Sequence, residues 1–127
     1  MDREVELEIV RRAYAKRVMF AAGVEDRRVE LAFAAVSREH FLGRGPWSIL
    51  RFGHGYAPTP SRNPVYIYDD VLIGIVPERK LNNGQPSLHA LLITSAGTRP
   101  GEHAVHVGAG VGSYTAILGH LVGAADG

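Results

Sequence analysis

His103-Ala-Val-His-Val-Gly-Ala-Gly-Val-Gly-Ser-Tyr-Thr-Ala-Ile-Leu118 reads as strand, glycine turn and helix. Ala104 to Val107 is a short apolar run that suits a buried strand. Gly108, Gly110 and Gly112 follow at alternate positions, and Tyr114, Ile117, Leu118 and Leu121 then recur at helical spacing. A strand that turns sharply into a helix needs backbone angles that a Cβ forbids, and glycine supplies them. Glycines also let a ligand approach the backbone, and the free N–H groups of a helix start favour a polar or anionic group. The pattern is G-x-G-x-G. The dinucleotide fingerprint G-x-G-x-x-G would need glycine at 113, where Ser113 stands, so nicotinamide cofactors are disfavoured. No Gly-Lys-Ser/Thr follows, which excludes a phosphate-binding P-loop. Taken alone, the loop fits both a ligand cradle and a tight turn that holds nothing.

The chain has 127 residues, enough for one small domain with a real core. Its net charge is +1, so no strong field points to nucleic acid or to a membrane. The lack of cysteine excludes disulfides, thiol catalysis and thiolate metal sites. The charged start, Met-Asp-Arg-Glu-Val-Glu, does not suit a signal peptide, and no apolar run reaches membrane-spanning length. A cytoplasmic protein is the expectation. His103 and His106 would point to opposite faces of a strand, and no other histidine pair has ligand spacing, so no metal site is expected.

Upstream, residues 3 to about 22 carry Leu7, Val10, Tyr14, Val18 and Ala21 as one apolar stripe, which predicts a helix closed by Gly23. Arg11, Arg12, Lys16 and Arg17 form a basic cluster beside it, which suits a solvated face better than an acidic partner. Glu25 and Asp26 suit the first turn of a second helix with Val29, Ala32, Phe33 and Val36 as its apolar face. Ser37 to Phe41 leads out. Residues 42–63 are rich in Gly and Pro and read as a long irregular segment anchored by Trp47, Phe52 and Tyr56. His54 in it is a possible site residue, though a surface-loop histidine is the simpler reading. Val65 to Val76 is β-rich and could be two short strands broken at Asp69-Asp70. Paired Asp residues invite a metal or acid–base reading, and a turn is the alternative favoured here. Leu81 to His89 is a polar turn that runs into a helix from Pro86 to about Ala96, closed by Gly97. The polar turn and the glycine turn could therefore face one crevice at a strand's carboxyl end.

Four stretches in this order resemble the N-terminal part of the protein-L-isoaspartate O-methyltransferases, a branch of the S-adenosylmethionine-dependent methyltransferases. Val36-Ser-Arg-Glu-His-Phe41 is similar to the family's Val-Pro-Arg-x-x-Phe, with Ser37 for proline. Tyr68-Asp-Asp-Val-Leu-Ile-Gly74 resembles its Tyr-x-Asp stretch, and Gln85-Pro-Ser-Leu-His-Ala90 the segment before the first core strand. Arg99 to Leu118 matches methyltransferase motif I and its lead-in. The resemblance implies an α/β fold: a helical and irregular extension over 1–80, then the first β-α unit of a truncated Rossmann-like domain over 81–127. It also implies S-adenosyl-L-methionine as cofactor. Val107, Gly108, Ala109, Gly110 and Gly112 would line its site. Tyr114 would sit at the start of the next helix, and Gln85, Pro86 and His89 would approach from the preceding segment. The implied reaction is methyl transfer to the side-chain carboxylate of an isoaspartyl residue, so a protein or peptide is the implied substrate.

Three departures accompany the resemblance. Asn82, Asn83 and Gly84 replace a Thr-Ile-Ser run that brings a hydroxyl near the acceptor, which makes the two amides the candidates for the catalytic role. His106 stands where the family has a Glu that helps organise the cofactor's positive end. The chain stops at Gly127, and Asp126 falls too early to hold a ribose. The expectation is an incomplete chain with little activity alone. The alternative is a non-catalytic module that oligomerises through an exposed sheet edge.

Overall fold

The computed structural model describes residues 2–51, 53, 55–76, 81–107, 110 and 112–123. The first helix, α1, runs Arg3–Ala22. The Asp2 side chain accepts from the Glu4 N–H at its start, and Glu4 and Glu6 favour the positive end of the helix dipole. Gly23 ends it in the left-handed region at φ 70°. Leu7, Tyr14 and Val18 are buried as the stripe predicts, together with Ala15 and Met19. Ala21 is exposed instead, and Ala22 turns inward.

Asp26 is the N-cap of α2, Arg27–Ala35, and accepts from the N–H groups of Arg28 and Val29. Val29, Ala32 and Phe33 face α1 and the core. The lead-out at Ser37 to Phe41 holds a one-turn helix, α3, Glu39–Leu42.

The segment expected to be irregular forms a hairpin, β1 Ser48–Arg51 and β2 Gly55–Pro58. Trp47 and Ile49 are buried while Ser48 and Leu50 are less so, which is the strand alternation. Two four-residue strands are too short for that pattern to stand out among so many Gly and Pro. Thr59 latches the base of the hairpin: its Oγ1 accepts from the Trp47 N–H at 3.0 Å and donates to the Ser61 carbonyl at 2.9 Å. Trp47 is the anchor it was expected to be, and Tyr56 is half-buried. Phe52 and His54 lie outside the described residues.

Only the second half of Val65 to Val76 is a strand. Pro64–Ile67 is a 3-10 turn, because Pro64 fixes its first residue and Asn63 accepts from the Val65 N–H. β3, Leu72–Val76, then pairs antiparallel with β1 and with β4, Leu81–Asn82. The sheet order is β2-β1-β3-β4, and Ile73 carries it into the core.

α4 is Pro86–Ala96, closed by Gly97 at φ 66°. α5 is Ser113–Val122. Helix α4 packs on α1 and α5 on α2, so one core runs from Leu7 to Leu121. The Arg28 guanidinium donates to the Leu121 carbonyl at 3.1 Å, capping the negative end of α5. The basic cluster on α1 is partly tied inward. Arg11 Nε donates to the Ala34 carbonyl at 2.8 Å and Arg17 Nη2 to the Tyr68 carbonyl at 2.9 Å, while Arg12 pairs with Glu8.

The strand expected at Ala104 to Val107 is not formed. These residues are unpaired coil, and Val105 and Val107 are 79% and 89% exposed. A central parallel strand takes its backbone hydrogen bonds from neighbours on both sides. Among the described residues no strand lies beside it, so water solvates the peptide groups. Gly101 N–H donates to the Val122 carbonyl at 2.8 Å, and His106 Nδ1 meets Thr115 Oγ1 at 2.7 Å, so the chain runs back along α5. Among the described residues no helix is long and apolar enough to cross a membrane.

Phe33 is 1% exposed and its ring lies 6.4 Å from those of both Tyr14 and Tyr114. Phe33→Ala is expected to lower the unfolding free energy by roughly 3–5 kcal/mol in urea titrations. Phe20→Ala, at a ring that is 89% exposed, is expected to stay within about 0.5 kcal/mol.

Candidate functional site

The polar turn after β4 is held from four directions. The Asn83 N–H continues the ladder to the Ile73 carbonyl at 2.8 Å. Asn82 Oδ1 accepts from the Gly84 N–H at 2.9 Å, an Asx turn, while its Nδ2 donates to the Tyr56 hydroxyl at 3.2 Å. Asn83 is 7% exposed and its Nδ2 donates to Ser113 Oγ at 3.1 Å, which ties the turn to the first residue of α5. The Gly84 carbonyl accepts from the Tyr114 hydroxyl at 3.0 Å. Both candidate asparagines therefore use amide donors and acceptors to build the turn.

Gly84 is in the left-handed region at φ 81°. A Cβ on it would stand 2.6 Å from His89 Nε2. His89, in the first turns of α4, stacks on the Tyr114 ring at 3.7 Å between centroids and 5° between planes. The turn, α4 and α5 thus meet at one aromatic pair. In front of it lies a cleft of about 190 Å³ lined by Ile75, Asn82, Asn83, Gly84, His89, His106, Gly110 and Tyr114. Six of these are sequence-predicted site residues: Asn82, Asn83, His89, His106, Gly110 and Tyr114.

The other predicted residues fall differently. Gln85 is exposed at the rim, where its Nε2 donates to Asp70 Oδ2 at 3.2 Å. Val107 points into solvent. Gly112 starts α5 at φ 94°, beside Phe41 rather than in the cleft. Pro86 is buried in the first turn of α4. Gly108, Ala109 and Asp126 lie outside the described residues. At Gly110 a Cβ would meet only Ile75 Cδ1, at 3.8 Å, so its left-handed φ of 61°, rather than crowding, is what favours glycine.

Burial sets the protonation of the aromatic pair. It lowers the His89 pKa below the ordinary 6.5, and the neighbouring His106 lowers it further. Burial pushes the Tyr114 phenol well up, so its proton stays in place to bond the Gly84 carbonyl. The α5 N-terminus carries no side-chain cap, which leaves first-turn N–H groups available near Gly110.

Two of the resembling stretches interlock beneath the cleft. The Arg38 N–H donates to the Tyr68 hydroxyl at 3.0 Å, and that hydroxyl donates to Glu39. The Arg38 guanidinium, 3% exposed, donates to the Ile67 and Asp69 carbonyls and lies over the Tyr14 ring. Asp69-Asp70 is a bend, and the Asp69 carboxylate accepts from the Asp70 N–H at 2.8 Å. Arg38 does not stand out in the sequence as a site residue, and the pair Asp69-Asp70 reads there as a turn in preference to a metal or acid–base site. Their presence in two stretches of the same resemblance was the available signal.

Three curated proteins match most of the chain. Protein-L-isoaspartate O-methyltransferase 2 of Anaeromyxobacter sp. is 31% identical over 120 residues, 94% of this chain and 42% of its own. The protein-L-isoaspartate O-methyltransferases of Rhodopseudomonas palustris and Brucella anthropi are 30% and 29% identical over 85% and 80% of the chain. The chain is a relative of the protein-L-isoaspartate O-methyltransferases. It spans about two fifths of their length, at their N-terminal part. No family model matches it, and no solved structure matches it at a significant level.

Gly84→Ala is expected to cost about 1–3 kcal/mol from left-handed strain alone. It should also displace the His89 ring, read as loss of the stacking-induced shifts of His89 and Tyr114 in aromatic NMR spectra. The His89 ring is expected to titrate below 6.5, and His106→Ala to raise its midpoint part of the way back. Because the unfolded chain takes this proton first, stability should be level above about pH 6.5 and fall as pH drops below it. Thermal melts of the wild type and His89→Phe between pH 5 and 8 check the sign, since the variant should lose this part of the dependence.

Proposed function

We propose that this chain carries the N-terminal, cofactor-facing part of an S-adenosylmethionine-dependent methyltransferase of the isoaspartyl type, with residues 81–127 beginning a Rossmann-like domain. The observation that supports it most is the cleft, which gathers six of the residues that the resemblance alone assigns to the site. The cofactor would supply a methyl group on a sulfonium centre for in-line displacement by a carboxylate of a protein or peptide.

The chain's own residues have separable tasks in this reading. His89 and Tyr114 present a flat, neutral wall, which suits a cation better than an imidazolium would. The N-terminus of α5 offers N–H groups to the cofactor's carboxylate. Gly110 keeps the rim low. His106 is held by Thr115 with one ring nitrogen and can turn the other toward the cleft. The acceptor is already an anion, so positioning and exclusion of water carry more of the rate than a base. Among the described residues no carboxylate lines the cleft to hold a ribose. Weak cofactor binding and slow transfer are therefore expected of these 127 residues alone.

Calorimetry with S-adenosylhomocysteine, paired with labelled-methyl transfer to isoaspartyl and aspartyl forms of one peptide, tests this reading. Binding that His89→Ala weakens by tenfold or more, about 1.4 kcal/mol, is the expected result. Transfer, where measurable, should favour the isoaspartyl peptide. No binding by the wild type, or equal transfer to both peptides, would overturn it.

A further inference from the structure

We infer that Asp70 is the positioning residue of the cleft: its carboxylate fixes the entry of α4 and so places Gly84 and His89 against Tyr114. The inference rests on the reading of the cleft as the cofactor site for its consequence in binding, and on geometry alone for its structural part.

Asp70 stands at the end of a strut that cannot easily shift. The Arg38 guanidinium grips the carbonyls of Ile67 and Asp69 from one side. Arg17 grips the Tyr68 carbonyl at 2.9 Å and lies 3.8 Å from the Asp69 carboxylate on another. Ile67 and Tyr68 are 0% and 1% exposed, so their side chains pin the same three residues to the core. The next residue, Asp70, reaches across to α4. Its Oδ1 accepts from the Ser87 N–H at 2.7 Å, and its Oδ2 from Gln85 Nε2 at 3.2 Å.

Gln85 occupies the N-cap position of α4, yet its own side chain makes no cap hydrogen bond. Pro86 has no N–H to offer. Ser87 therefore carries the first N–H within the helix, and a carboxylate 17 residues earlier caps it. A carboxylate is the right group there, because its charge also favours the positive end of the helix. One residue before Gln85, Gly84 gives its carbonyl to Tyr114; four residues after Gln85, His89 stacks on the same ring. The position of that short span along the cleft is thus set by where Asp70 holds it. The charged and titratable groups around His89 are His106 across the cleft, Tyr114 beneath it and Asp70 at the foot of its helix.

Two variants separate positioning from simple stabilisation. Asp70→Ala removes both acceptors. Asp70→Asn combined with Gln85→Glu exchanges the partners, so that the amide donates to the new carboxylate while Oδ1 still takes the Ser87 N–H. Aromatic NMR of the folded proteins reads the stack directly, and S-adenosylhomocysteine calorimetry reads its consequence. Asp70→Ala should lose the His89–Tyr114 stacking shifts, move the His89 midpoint toward 6.5, and weaken binding about tenfold, the scale of one lost cap. The double variant should recover the shifts and the midpoint. A lower melting temperature with the stack and midpoint unchanged in Asp70→Ala would overturn the inference and leave Asp70 as a cap only. Absence of S-adenosylhomocysteine binding by the wild type would instead overturn the cofactor reading, and the ring shifts would still decide the role of Asp70.

Discussion

A guanidinium sealed in the core is the constraint around which this chain is built. Arg38 is 3% exposed, and such a charge is tolerated only where hydrogen bonds replace its water. Nη1 finds that replacement in the carbonyls of Ile67 and Asp69, and the guanidinium lies over the face of Tyr14, while Nη2 is buried without a hydrogen-bond partner. To offer two carbonyls to one guanidinium, residues 67–69 must leave extended structure. The 3-10 turn that Pro64 begins delivers them. The cation thus dictates the local backbone, and the backbone dictates where the paired aspartates point.

From there the architecture follows by contact. The carboxylate of Asp70 receives the first N–H of α4, α4 brings His89 onto Tyr114, and Tyr114 joins α5 to the turn after β4. The ring of Tyr114 also lies against Phe33 in α2. The cleft is consequently a corner of the main core rather than a loop on its surface. Burial there keeps the imidazole neutral and the phenol protonated, and those two states are what a flat, uncharged wall requires.

The same view explains why the glycines matter for different reasons. Gly84 is confined by His89, so its missing Cβ makes room for a ring. Gly110 and Gly112 have space around them, and their left-handed backbone is the requirement. The first is a packing demand, invisible without the partner. The second is a turn demand, readable from the spacing with the following helix.

What the sequence by itself determined is local. Periodicity placed α1, α2 and α5, Pro86 and Gly97 bounded α4, and Gly23 closed α1, because each signal depends on chain neighbours within a turn; Asp26, expected in the first turn of α2, is its N-cap instead. The order of four short stretches also disclosed the kinship with isoaspartyl methyltransferases. Only the tertiary structure decided the rest. The hairpin at Ser48 to Pro58 emerged because Trp47 and Ile49 found a core to enter. Ala104 to Val107, apolar enough for a strand, stayed unpaired, because a strand is a relation between chains of peptide groups and none lies alongside among the described residues. Asn82 and Asn83 became scaffolding through contacts with Tyr56 and Ser113, and Asp70 became a helix cap through a contact 17 residues away. Such roles arise from proximity in space, which a hydrogen bond requires and a residue's type does not reveal.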